Sequence, residues 1–172
     1  MGKPYPYDTF LFEPDDRFSD FFVVVNETDG MDPYGKFLSG QYPFLLLTSS
    51  IFSFFESGVS YFLFIYCFSI VYILFSYFFL HVKDISIGVL LTFIITTFTY
   101  PLMFSLDRGN FELLVFAFLL VFIYFYQKEK YLPAAIFLGL AAALKIYPAI
   151  FLLLFLKDKK YKEAIYALGT MA

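Results

Sequence analysis

Tryptophan is absent from this chain, and cysteine and histidine occur once each. One cysteine forms no internal disulfide, and Cys67, set in an apolar run, reads as a small buried hydrophobe. No His/Cys cluster of zinc-ligand spacing, no glycine-rich phosphate loop and no Gly-x-Ser-x-Gly elbow is present. Neither a metal nor a cofactor is therefore expected. Without tryptophan, any aromatic belt at a membrane interface must be built from Tyr and Phe. Basic residues are too few for a nucleic-acid surface: 12 Lys and Arg stand against 15 Asp and Glu, a net charge of −3. A basic segment leading into an apolar one is also missing at the start, so Met1 to Asp20 do not read as a signal peptide.

What the chain has is apolar surface. Of its 172 residues 60% are hydrophobic, 27 are Phe and 15 are Tyr, and mean hydropathy is +0.74. A soluble domain is nearer 45–50% apolar. A fold of this size cannot hide such an excess from water, so an all-α, polytopic transmembrane bundle is expected.

Residues 1–40 are the exception. They are acidic and turn-rich, broken by Pro4, Pro6, Pro14 and Pro33, and read as an extracytoplasmic loop. Residues 41–172 hold the apolar runs. Pro43 to Phe55 is about 13 residues, short of the about 20 a crossing takes. Longer spans are expected near 59–80, 85–106 and 111–127, with Pro101 kinking or shortening the second. Tyr131 to Leu156 is interrupted by Lys145-Ile146-Tyr147-Pro148. The basic loops hold Lys83, then Lys128 and Lys130, then Lys157, Lys159, Lys160 and Lys162. All face inward only if Pro43 to Phe55 dips without crossing and 131–156 is a hairpin. One long tilted helix is the alternative. The polar start and the last run, Ala164 to Ala172, both read as cut ends, so a fragment is expected.

The functional signal lies between the apolar runs. Asp107-Arg108-Gly109-Asn110-Phe111-Glu112 places three charges between two of them, and Lys145 interrupts another. Ionisable groups at such depth persist when paired, wet or functional. Glu112, in the first turn of its helix, suits the helix dipole. Lys145 has three readings: it snorkels to an interface, a long reach from the centre; a lipid phosphate meets it at the helix break; or it pairs internally with Asp107 or Glu112.

These residues resemble a family. Asp107 to Glu112, followed by Gly139-Leu140-Ala141-Ala142-Ala143-Leu144-Lys145-Ile146-Tyr147-Pro148, are similar to the Arg-Gly-Asn and Lys-x-Tyr-Pro signatures of GT-C glycosyltransferases. The nearest likeness is to the bacterial and archaeal polyprenyl-phosphate-mannose-dependent mannosyltransferases; the catalytic subunit of GPI mannosyltransferase I is similar too. Asp20-Phe21-Phe22, Asp32-Pro33-Tyr34 and Tyr42-Pro43 resemble that family's first outer loop, except that Phe44 stands where a second Pro is usual. The family's first transmembrane helix and its C-terminal half have no counterpart here.

The resemblance implies an inverting hexosyl transfer, with mannose as the sugar, from a polyprenyl-phosphate donor to a lipid, glycan or protein acceptor. It implies an integral protein of a bacterial or archaeal plasma membrane, active at the extracytoplasmic face among membrane lipids. Asp20 matches the family's catalytic base, with Asp32 as its first alternative and Asp29 behind it. Lys145 and Arg108 are the donor-phosphate cations, and Asn110, Glu112, Tyr34, Tyr42 and Tyr147 support them. A transporter or channel subunit with Arg108, Glu112 and Lys145 along a polar path is the rival reading.

Overall fold

The computed structural model describes residues 18–27, 42–80 and 83–171. Among them every element is helical and no strand occurs, in keeping with the all-α expectation. Asp29, Asp32 and Tyr34 lie outside the described residues.

Local chemistry sets the helix bounds. Helix α1 is Ser19–Glu27 and α2 is Pro43–Ser53, opened by a proline in its first turn after an extended Tyr42. In α2 the hydroxyls of Thr48, Ser49, Ser50 and Ser53 donate to carbonyls of the preceding turn. They are thereby satisfied without water. Helix α3, Ser57–Leu80, is apolar on every face. Asp84 caps α4, Ile85–Phe98, by accepting from the N–H groups of Ser86 and Ile87 at 2.8 and 3.1 Å.

The apolar run 85–106 is two helices. Pro101 has no N–H to carry the hydrogen-bond ladder on from α4; Thr99 is extended and serves as the N-cap from which α5, Tyr100–Arg108, starts anew. Gly109 closes α5 in a Schellman turn at φ 64°, with Asn110 N–H donating to Ser105 at 2.8 Å. A Cβ at Gly109 would lie 2.7 Å from that of Phe21, so glycine is required for space as well as for conformation. Helix α6 is Glu112–Gln127, α7 is Tyr131–Leu144, α8 is Leu152–Lys157 and α9 is Tyr161–Met171.

Between α7 and α8 the chain reverses. Lys145 is extended at the end of α7, and Tyr147–Phe151 forms a 3-10 turn holding a buried Pro148. The returning arm of the hairpin, α8, then runs back beside α6. Phe151 and Phe155 meet the Phe122 ring at 5.8 and 6.0 Å, and Tyr126 donates to the Leu154 carbonyl. Lys160 sits 4.4 Å from the centre of the Tyr131 ring, at the start of α7. A straight helix would carry residue 160 roughly 40 Å from there at 1.5 Å per residue. The lysines at 128–130 and 157–160 therefore share one end of the bundle, and Lys145 and Tyr147 lie at the other. In a Cys67→Ser background, Tyr147→Cys and Lys157→Cys are expected to react with an impermeant thiol reagent from opposite sides of sealed membranes. Reaction of both from one side would rule the arrangement out.

Helix α9 rises along α7 through small residues. Ala134, Ala135, Ala141, Ala142, Ala164 and Ala167 are buried, and a Cβ at Gly139 would meet Thr170 Cβ at 2.5 Å and the Ala167 carbonyl oxygen at 2.6 Å. Close backbone approach through small side chains is how helices pack in lipid. Gly139→Val is expected to destabilise the protein by about 1–3 kcal/mol, seen as a lower thermal midpoint in detergent. An unchanged midpoint would argue against this packing.

A second core surrounds Phe21, which is fully buried among Phe22, Phe52, Tyr61, Phe64 and Phe111 and stacks on Phe111 at 6.1 Å. The exterior is apolar too. Phe54, Phe62, Tyr66, Ile85, Phe98 and Ile165 are each more than half exposed, a surface suited to lipid rather than water. Cys67 is exposed on α3 and not buried as expected, since a helix apolar all round turns some of that surface outward. Among the described residues no single helix is long and apolar enough to cross a membrane. Pro43–Ser53 and Gly58–Leu74 are so together, bent by 120°.

Candidate active site

Phe21 seats α1 in the aromatic core, and its neighbour Asp20 is thereby held against the end of α5. Arg108, the last residue of α5, donates from Nε at 3.1 Å and Nη2 at 2.7 Å to Asp20 Oδ1. Asn110 donates from Nδ2 to Asp20 Oδ2 at 2.9 Å, and its own Oδ1 accepts the Glu112 N–H at 2.9 Å. The Schellman turn at Gly109 makes this possible by bending the chain so that residues 108 and 110 both face α1. The Phe18 N–H donating to the Asp107 carbonyl at 3.1 Å ties the two segments further.

Glu112 opens α6 with its carboxylate between two partners from the hairpin bend. Lys145 Nζ lies 3.3 Å from Oε1, and the Tyr147 hydroxyl donates to Oε2. Asp107 is buried near Tyr61, not opposite Lys145. Of the internal partners weighed for Lys145, the structure therefore selects Glu112. Both ion pairs are partly open: side-chain exposure is 18% and 29% for Arg108 and Asp20, and 33% and 34% for Lys145 and Glu112. Pairs this wet contribute little to stability, about 0–1 kcal/mol each, so stability alone is a weak reason for having them.

Two cavities flank this network. One, about 220 Å³, is lined by Asp20, Arg108, Asn110 and Lys145 with Ser19 and an apolar wall including Val24 and Leu45. The other, about 370 Å³, is lined by Glu112, Tyr147, Thr99 and Ser105 over Tyr72, Leu102, Leu113 and Phe116. Asp20, Arg108 and Lys145, read separately from the sequence, thus open onto one space. Tyr42 stands exposed before α2 and lines neither cavity. Sequence reasoning missed Phe21 as the anchor of Asp20, and Tyr72 and Thr99 as walls of the larger cavity. Nothing in an apolar helix marks which residues turn inward. Among the described residues no group of three or more His, Cys, Asp or Glu could hold a metal ion.

Among the described residues, an apolar helical bundle gathers two carboxylates, an arginine and a lysine at one end. Residues 42–172 match the family described as Glycosyltransferase family 87, and the chain belongs to this GT-C-type family of membrane glycosyltransferases. The match spans Arg108, Asn110, Glu112, Lys145 and Tyr147 but begins after Asp20. Searches of curated proteins and of solved structures gave no match.

Proposed function

We propose that the protein transfers a hexose, mannose in the first instance, from a polyprenyl-phosphate donor to a lipid, glycan or protein acceptor at the extracytoplasmic face of a bacterial or archaeal plasma membrane. The observation that carries this reading is the single cavity lined by a carboxylate, Asp20, and two cations, Arg108 and Lys145. An inverting transfer needs that set. A base takes the proton from the acceptor hydroxyl as it attacks the anomeric carbon, and cations stabilise charge on the departing phosphate. The transition state resembles an oxocarbenium ion.

Asp20 is the base in this reading. Asn110 and Arg108 fix its carboxylate, and Asn110 leaves a lone pair of Oδ2 for the acceptor proton. Arg108 and Lys145 take the phosphate, the guanidinium through paired N–H groups and the ammonium as a point charge. Asp32 and Tyr34 belong to the same proposed outer loop, and Tyr42 supports it from the start of α2. Membership of a glycosyltransferase family favours this reading over a transporter or channel subunit.

The test is transfer from radiolabelled polyprenyl-phosphate mannose in membranes bearing the full-length protein, with the anomeric configuration of the product read by NMR. An inverted linkage is expected. Retention of configuration would contradict a single displacement with Asp20 as base.

A further inference from the structure

The donor-site reading gives Glu112 only an unspecified supporting role, yet Glu112 is the residue that pairs with Lys145. The four charged side chains make two ion pairs, Asp20 with Arg108 and Glu112 with Lys145. A phosphate approaching Lys145 thus meets an ammonium whose charge is already answered. For the phosphate to bind, Glu112 must give Lys145 up.

Glu112 is built to do so. Its Oε2 accepts from the Tyr147 hydroxyl independently of Lys145, which takes Oε1. It also sits in the first turn of α6, where the helix dipole favours a carboxylate. Its backbone is fixed by the Asn110 side chain. When Lys145 swings to a ligand, the carboxylate keeps partners and a place. The two residues border different cavities, Lys145 the one with Asp20 and Glu112 the one with Tyr147. The ammonium can therefore exchange partners by turning from one space to the other.

We infer that Glu112 is the exchangeable counter-ion of Lys145, a positioning residue that yields the ammonium to the donor and reclaims it to expel the spent lipid phosphate. This rests on the donor-site reading above. In the transfer, the bond from the anomeric carbon to the phosphate oxygen breaks and a bond to the acceptor oxygen forms. The acceptor proton passes to Asp20. The donor enters as a phosphodiester with one negative charge, and the lipid leaves as a monoester with two. The product therefore holds a cation more tightly than the substrate did. A carboxylate tethered within reach competes with it at a high effective concentration.

The experiment compares Glu112→Gln, Tyr147→Phe and Lys145→Met in membranes bearing the full-length protein. It measures donor KM, kcat and inhibition by added polyprenyl phosphate. Glutamine retains an acceptor for Tyr147 and loses the charge. It is expected to lower donor KM and the inhibition constant of polyprenyl phosphate by about fivefold each, the scale of one part-exposed ion pair, and to lower kcat through slow release. Tyr147→Phe strips the carboxylate of its second partner, strengthens its hold on Lys145, and is expected to raise donor KM. This second variant keeps the question open if Glu112→Gln does not accumulate. A merely structural Glu112 would change protein amount without tightening product inhibition. If Lys145→Met raises donor KM while Glu112→Gln leaves product inhibition unchanged or weaker, Glu112 is not the counter-ion and the donor site stands. If Lys145→Met leaves donor KM unchanged, the donor-site reading fails, and this inference with it.

Discussion

Replacing Asp20 by asparagine is expected to lower kcat for sugar transfer by about 10²–10⁴ without raising donor KM. The amide keeps the size of the carboxylate and can still meet Arg108 through its oxygen, but it cannot take the acceptor proton. Asp20 Oδ1 receives two N–H groups from Arg108, so removing its charge weakens one hold on a guanidinium that lines the proposed donor cavity. Donor binding should hold or tighten while turnover collapses. An anchoring role for Asp20 would give the opposite pattern, a raised KM with kcat kept. If more than about a tenth of the activity remains, the loss falls short of that range. Asp20 is then not the base, and Asp32 is the next carboxylate to replace.

Lys145→Met is expected to do the reverse, raising donor KM by about ten- to a hundredfold, as for loss of a charge-assisted hydrogen bond worth about 1.5–3 kcal/mol. Methionine keeps the apolar stem and the end of α7, so the bend at Pro148 should survive. It also leaves the Glu112 carboxylate with Tyr147 as its remaining contact at the bend. A cation bound to the donor in the ground state as well as the transition state appears mainly in KM. Steady-state kinetics over a range of donor concentrations separates the two variants. A kcat loss with unchanged KM for Lys145→Met would put the lysine in chemistry, not in donor binding.

Local features of this fold were legible where one residue type determines the backbone. Pro101 marked the break in the run 85–106, and Lys145 with Pro148 marked the hairpin bend. The Schellman-type turns at Glu129 and Lys159 were silent, because these residues adopt φ of 55° and 57° without being glycine. In each, the N–H groups close back on the helix end at 2.7–3.1 Å, so contacts override the local preference.

Long-range pairing was the least legible. Asp20 and Arg108 are separated by 88 positions, and nothing in either segment announces the other. Chemistry nominated both residues, but it is packing of Phe21 in the aromatic core, with the Phe18 N–H bound to the Asp107 carbonyl, that brings them together. The Lys145–Glu112 pair stood among the readings of an intramembrane lysine. It could not be preferred without knowing that the hairpin bend meets the first turn of α6.

In the proposed reaction the donor is a lipid phosphate held by Lys145 and Arg108. The most direct measurement is transfer by the purified full-length protein, offered radiolabelled polyprenyl-phosphate mannose in one reaction and a nucleotide-linked mannose in another, with the same acceptor extract. The expected result is label in the acceptor from the lipid-linked sugar alone, lost in Asp20→Asn. Transfer from the nucleotide-linked sugar and none from the lipid phosphate would contradict it.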